Sequence, residues 1–228
     1  MRFAFLGLWM IVGAIRALGG CELLVAAASD LSPLEKALKA AMPGCDVRIS
    51  FGSSGMLAQQ IRSGADFDVF LAADRRFAEG LGGELVVYAR GRIALWSSKG
   101  LKWEDLGRAD RVAIANPALA PYGRAARQAL ERRGLWKGLE ARIVFSENIR
   151  QAWQFARTGN VDAAIVSWSL AFREGGQPLP AEWHDVLEQT AVIPRGARHL
   201  GEAKRFIGWL VSREGQKLFA LNGLEAVR

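Results

Sequence analysis

Two histidines and two cysteines leave this chain short of the groups on which most metal sites and many catalytic centres are built. His184 and His199 lie near neither cysteine at a spacing that holds zinc, so no metal site is expected. No H-E-x-x-H helix, no G-x-x-x-x-G-K-[ST] loop and no G-x-G-x-x-G after the first apolar strand is present, which removes zinc-protease, nucleotide and dinucleotide readings and leaves no cofactor to expect. The turn Gly52-Ser53-Ser54-Gly55 stands where a nucleophile elbow would, but G-x-S-x-G fails because residue 56 is Met. A hydrolase using Ser54 is therefore the minor alternative, and no enzyme activity is expected. Beyond residue 20 no apolar run is long enough to cross a bilayer.

What is present fits an exported, folded chain. Half of the 228 residues are hydrophobic, enough for a core divided between two small lobes. Residues 1–20 open on Met1-Arg2, continue through an almost wholly apolar stretch and end on Ala17-Leu18-Gly19-Gly20, the pattern of a secretory signal peptide. The excess of 30 Lys and Arg over 23 Asp and Glu gives +7. The arginines (Arg48, Arg62, Arg90, Arg111, Arg142, Arg173) are scattered instead of striped, so no nucleic-acid partner is expected, and the charge serves at most to draw anions.

Cys21 allows two readings. Leu18-Gly19-Gly20-Cys21 is similar to a lipobox, which would anchor the chain through a lipid on Cys21. Alternatively, Cys21 and Cys45 each lie two residues ahead of an apolar strand, and adjacent parallel strands would bring them together as a disulfide in an oxidising compartment. The disulfide is preferred, because a lipid on Cys21 would leave almost no linker before the fold begins.

The apolar run over residues 23–28 reads as a strand buried on both faces. A helix of about ten residues follows, with Ser32 and Pro33 as its cap and first-turn proline. Strands over 47–51 and 69–73 flank a helix that opens at the Gly52-Ser53-Ser54-Gly55 turn, completing a βαβαβ unit. A second α/β series occupies strands near 92–96, 111–115, 142–145 and 162–166 with helices over 124–133 and 149–158. A strand over 189–193 and two terminal helices close the chain. The expected fold is α/β with two lobes: a signal peptide over 1–20, a first lobe from 21–90 and 191–228, and a second from 91–190. Connections at 89–93 and 190–194 would act as hinges.

Candidate chemistry gathers at strand ends. Ala28-Ser29-Asp30 and Gly52-Ser53-Ser54-Gly55 both open helices, whose first N–H groups lack intrahelical acceptors and carry partial positive charge. Serine hydroxyls beside them add donors, and two such turns on neighbouring strands would face one crevice. As single features, Ser29 and Ser54 read first as helix caps; the two turns together bring the anion site level with that reading. Asp66, Asp68 and Asp74 read as turn residues around a buried strand.

These same segments carry a resemblance. Ala26-Ala27-Ala28-Ser29-Asp30, Ser50-Phe51-Gly52-Ser53-Ser54-Gly55 and the stretch from Asp68 to Asp74 resemble the periplasmic molybdate-binding proteins of ABC transporters. So do Ala115-Asn116-Pro117 with Pro121-Tyr122-Gly123, Glu147-Asn148-Ile149-Arg150-Gln151-Ala152, the stretch from Asp162 to Val166, and Glu214-Gly215-Gln216. The resemblance implies a type II periplasmic binding protein: two lobes, each a mostly parallel sheet flanked by helices, clamping an oxyanion between them. It implies molybdate or tungstate as ligand, a membrane permease and an ATPase as partners, a monomer, and a periplasmic location. A sulfate or phosphate receptor is the alternative within that class.

Carried over position by position, Ser29 and Ser54 are the first-lobe donors, with Asp30 and Ser53 beside them. The Tyr122 turn and the backbone N–H of Ile149 are the second-lobe donors. Many relatives have a tyrosine where this chain has Ser167, a shorter hydroxyl that Tyr122 would replace from another direction, with Trp168 walling the pocket. Asp30 is expected to cap a helix with its carboxylate turned away, since a charge there would repel an anion.

Overall fold

The computed structural model describes residues 20–227; apart from Gly20, the expected signal peptide lies outside the described residues. β1 (Cys21–Ala28) is an inner strand of the first sheet, and Val25 through Ala28 are all buried. Its alternate residues serve different cores: Val25 and Ala27 pack into one cluster and Ala26 into another on the opposite face, the two-sided burial that a continuous apolar run implies. On one side β1 pairs in parallel with the edge strand β2 (Cys45–Gly52), and on the other with the fully buried β3 (Val69–Ala72).

The first connection differs from expectation. The chain turns into a 3-10 helix at Ser29–Leu34 directly after β1, with Pro33 inside it, and only then continues as α1 (Glu35–Ala40). Burial of Leu31 and Leu34 draws the chain down onto the core at once, so the helical turn begins at Ser29 and not at Ser32. The second connection keeps the expected strand-to-helix form, and the third adds a short helix that the sequence reading did not name. α2 (Ser54–Arg62) follows β2, and α3 (Arg75–Ala78) follows β3 with the Asp74 carboxylate accepting from the Arg76 N–H at 2.8 Å.

β4 (Val86–Gly91) and β5 (Ile93–Trp96) are separated by Arg92 alone yet belong to different sheets. The chain thus crosses within the expected 89–93 segment. β5 opens the second sheet, and along the chain follow β6 (Val112–Ala115), α4 (Pro121–Arg132), α5 (Trp136–Leu139), β7 (Ile143–Ser146), α6 (Ile149–Arg157), β8 (Ala163–Ser167), α7 (Trp168–Ala171) and β9 (Gln177–Pro178), the strands belonging to that sheet. Then β10 (Leu187–Val192) lies antiparallel between β3 and β4, α8 (Leu200–Leu210) and α9 (Arg213–Ala220) follow, and β11 (Glu225–Ala226) pairs with β4 in the first sheet. The return crossing therefore falls between Pro178 and Leu187, ahead of the expected 190–194. Thr190, Ala191 and Val192 are buried in register with Ala72, Leu71 and Phe70, so hydrogen bonding claims them for the sheet.

The sheet orders are β11-β4-β10-β3-β1-β2 and β7-β6-β8-β5-β9. Both are mixed, with the parallel pairs gathered in β3-β1-β2 and β7-β6-β8. Those parallel halves carry the strand-to-helix turns, so the functional region is sought at their carboxyl ends.

At the opposite, amino ends of β1 and β2, Cys21 and Cys45 are register partners and form a disulfide. The bond engages the Cys21 sulfur, and a lipid thioether on that atom does not coexist with it. Cutting the bond by Cys45→Ser is expected to lower the unfolding free energy by about 3 kcal/mol, as for a loop of this length; a denaturant midpoint unchanged by the substitution would refute this.

Candidate functional site

Four helical starts converge on one small cavity between the two sheets. Its lining is Ala28, Ser29, Asp30, Gly52, Ser53, Ser54 and Ala73 from the first lobe and Ala120, Pro121, Tyr122 and Ile149 from the second. The cavity measures about 10 Å³, room for about one water-sized group. A pocket for an organic ligand is roughly 300 to 1,000 Å³. Only a ligand of a few atoms is in scale here.

The donors are set by local structure. Ser53 precedes α2 in an extended conformation without capping it, and its buried Oγ has no hydrogen-bond partner. Ser54 Oγ accepts from the Ala73 N–H at 3.0 Å; with its acceptor side so engaged, its own proton is left to donate. Ser29 opens the 3-10 helix and is buried. The N–H of Ile149 begins α6, whose cap is the Asn148 side chain accepting from the Gln151 N–H at 3.1 Å. Tyr122 is the second residue of α4, following a proline that has no N–H to satisfy. No lysine, arginine or histidine is among the lining residues, so the positive potential comes from hydroxyl and helix N–H dipoles.

The structure redirects four of the expected residues. Asp30 caps nothing: its Oδ2 accepts the Tyr122 hydroxyl at 2.9 Å and Gln189 Nε2 at 2.7 Å, whereas its buried Oδ1 has no partner. Tyr122 therefore spends its proton on Asp30, and its oxygen receives a further bond from Gln189 Nε2 at 2.9 Å. Ser167 is fully buried and is absent from the cavity lining; its hydroxyl lies 3.1 Å from that of Ser169, which donates to the Asp30 carbonyl at 2.8 Å. Trp168 does not wall the cavity either; its ring meets Phe172 edge-on.

Burial raises the Asp30 carboxyl from 3.8 to about 7, against the opposing pull of the Tyr122 and Gln189 hydrogen bonds. Burial, and then the nearby Asp30, hold the Tyr122 phenol well above its ordinary value of 10.0, so it stays a donor. Tyr88 extends the network by donating to Gln189 Oε1 at 3.1 Å.

Gln189, Tyr88 and Ser169 escaped the sequence reading. Gln189 left little signal, being one of three adjacent polar residues, Glu188, Gln189 and Thr190, between Leu187 and Ala191. Gly91 supports the same network. A Cβ there would collide with the Tyr122 hydroxyl, so glycine at the crossing lets that tyrosine reach across.

Other contacts hold the lobes together at the rim. Gly55 N–H donates to the Leu119 carbonyl at 2.8 Å, an approach that a side chain at 55 would obstruct at 2.7 Å from the same oxygen. Arg124 of α4 pairs with Asp74 beside it. Asp68 lies apart from the cavity, accepting from the Leu24, Arg198 and His199 N–H groups and pairing with the His199 ring.

A two-sheet α/β chain with a small cavity lined by hydroxyls and helix starts at the carboxyl ends of both parallel halves is the architecture of a solute receptor. Residues 23–225 match the bacterial extracellular solute-binding proteins, and the chain belongs to that family. It is 31% identical to the molybdate-binding protein ModA of Rhodobacter capsulatus, over 98% of this chain and 96% of that one. It is 34% identical to the ModA of Azotobacter vinelandii, over 73% of this chain and 74% of the relative. The solved periplasmic molybdate-binding protein of Azotobacter vinelandii superimposes with a TM-score of 0.84 at 27% identity, over 91% of this chain and all of that one. The match extends to the two-lobe, type II periplasmic fold.

Proposed function

We propose that this chain is the extracytoplasmic receptor of an ABC importer, capturing molybdate or tungstate between its lobes and presenting it to a membrane permease driven by an ATPase. The observation that carries the reading is the meeting of two unpartnered buried polar atoms, Ser53 Oγ and Asp30 Oδ1, with several helix starts at one cavity without a cationic side chain. Buried polar atoms normally have partners, so a site that leaves two open at one point is built for a ligand. Ser29, Ser53 and Ser54 supply hydroxyls from the first lobe; the N–H groups of Tyr122 and Ile149 supply donors from the second. Residues 20–91 and 187–227 form one lobe on this reading and 92–186 the other, with the receptor acting as an exported monomer.

An enzymatic role for Ser54 finds no histidine base. The ring of His199 pairs with Asp68, and that of His184 meets the Asp185 carbonyl at 2.7 Å. Neither histidine hydrogen-bonds to Ser54, whose oxygen is held by the Ala73 N–H.

Calorimetric titration of the purified protein with molybdate, tungstate, sulfate and phosphate tests the proposal. One-to-one binding of the first two, at least a hundredfold tighter than the others, is expected; preference for sulfate or phosphate would replace the ligand and leave the receptor architecture in place.

A further inference from the structure

We propose that Asp30 binds the oxyanion as a neutral acid, donating an Oδ1–H hydrogen bond into the cavity, so that the receptor takes up a proton with its ligand. The inference rests on the oxyanion reading and extends it to a residue whose charge would otherwise oppose that reading.

The geometry assigns the proton to one oxygen. Oδ2 already accepts from Tyr122 and from Gln189 Nε2, and both are committed as donors. Tyr122 stays protonated, and the amide of Gln189 is oriented by the Tyr88 hydroxyl on its Oε1. A proton on Oδ2 would compete with two donors. On Oδ1 it meets no protein group, because that atom is buried without a partner in a residue that lines the cavity. A neutral carboxyl thus has its acceptor side satisfied by the protein and its donor side open toward the ligand. An ionised carboxyl would place a bare negative oxygen against an anion in a buried site, at a large electrostatic cost.

Among the described residues the surroundings offer no compensating cation. The groups meeting Asp30 are Tyr122 on α4, Gln189 on β10 and, through its backbone carbonyl, Ser169 on α7. Tyr88 on β4 meets it through Gln189. α6 presents buried Ile149 at the cavity, and its neighbour Arg150 is exposed. Glu35 and Lys39 of α1 pair with each other on an exposed face, and on β2 Arg48 pairs with Asp46 and Glu22. α2 presents Ser54 at the cavity while its one charged residue, Arg62, is exposed in its last turn, and Arg124 is engaged by Asp74. Burial without a cation is the cause of the raised carboxyl pKa of about 7.

A proton-bearing Asp30 also makes the lining donor-only. A fully deprotonated oxyanion matches it, whereas an oxyanion that keeps its own proton, as hydrogen phosphate does, finds no acceptor for it. Asp30 is then a specificity determinant as well as a contact.

The test is calorimetry of the full exported protein with molybdate, at pH 6 and pH 8, in pairs of buffers differing in ionisation enthalpy, which reads protons taken up per ligand bound. Close to one proton is expected at pH 8 and few at pH 6, with affinity falling about tenfold per unit above pH 7. In Asp30→Asn the uptake at pH 8 should vanish. Binding by the wild type without uptake at pH 8 overturns the inference alone, as does an Asp30→Asn variant that still takes up the proton. Failure of molybdate, tungstate, sulfate and phosphate alike to bind at either pH overturns the oxyanion reading, and this inference with it. The wild-type proton count stands without the variant, so an Asp30→Asn protein that failed to fold would not shelter the proposal.

Discussion

Ser53→Ala together with Ser54→Ala is expected to weaken oxyanion binding by about a hundredfold to ten-thousandfold. Each hydroxyl supplies a hydrogen bond to a charged ligand, worth about 1.5 to 3 kcal/mol, and the pair removes two of the first-lobe donors. The single variants should differ in a way that separates a binding hydroxyl from a structural one. Ser54 also accepts from the Ala73 N–H, so its loss strands a buried amide and costs about 1 to 3 kcal/mol of stability as well as affinity. Ser53 Oγ has no partner in the protein; Ser53→Ala should lower affinity while leaving the unfolding midpoint close to wild type. Calorimetry paired with denaturant unfolding reads both, and wild-type affinity in Ser53→Ala would remove that hydroxyl from the site.

The second large effect is on stability as a function of pH, without ligand. In the folded protein burial raises the Asp30 carboxyl from 3.8 to about 7, so the native state retains a proton that the unfolded chain releases. A group of this kind contributes fully below its unfolded pKa, and its contribution disappears as pH rises through the folded value. Between pH 4 and pH 8 the wild type should lose about 4 kcal/mol relative to Asp30→Asn, by the conversion of about 1.4 kcal/mol per pKa unit.

The comparison with the variant matters because other groups titrate too. His199, raised mainly by its hydrogen bond to Asp68, also gives up stability as pH rises. His184, lowered mainly by burial, acts in the opposite sense. Subtracting the Asp30→Asn curve cancels both. Parallel curves for the two proteins across this range would mean that Asp30 is ionised in the folded state.

The turns of this site were legible in the sequence because their placement follows from local rules. An apolar run that ends in Ser-Asp or Gly-Ser-Ser-Gly before a helical pattern puts hydroxyls at a strand's carboxyl end, and Ser29, Ser53 and Ser54 line the cavity; Tyr122 and Ile149, expected from the resemblance alone, line it too. What escaped was long-range. The inward turn of Asp30 depends on Gln189, 159 residues away, and on Tyr122, 92 away. Gln189 is in place because β10 returns to the first sheet antiparallel to β3 and β4, a pairing that no local pattern announces. Ser167 was placed by its alignment with a tyrosine in relatives. A side chain that short stays within the second lobe, beside Ser169. The first helix began early for a similar reason: burial of Leu31 overrode the familiar start signal of Ser32 and Pro33.

The disulfide gains meaning from where the serines are. Cys21 pairs with Cys45, and the register continues unbroken to Ala28 and Gly52, so Ser29 and Ser53 each follow a cysteine by the same eight residues. Two strands of equal length, fastened at their far ends, act as a pair of rulers laid from a common zero. At about 3.3 Å per residue the fastening sits roughly 26 Å from the serines. An insertion or deletion in either strand would break the equality and carry one serine turn past the other, unless the partner strand changed to match. The two cysteines and the two serine turns are therefore a single unit of sequence, and variation in the length of one strand should be found only with the same variation in the other.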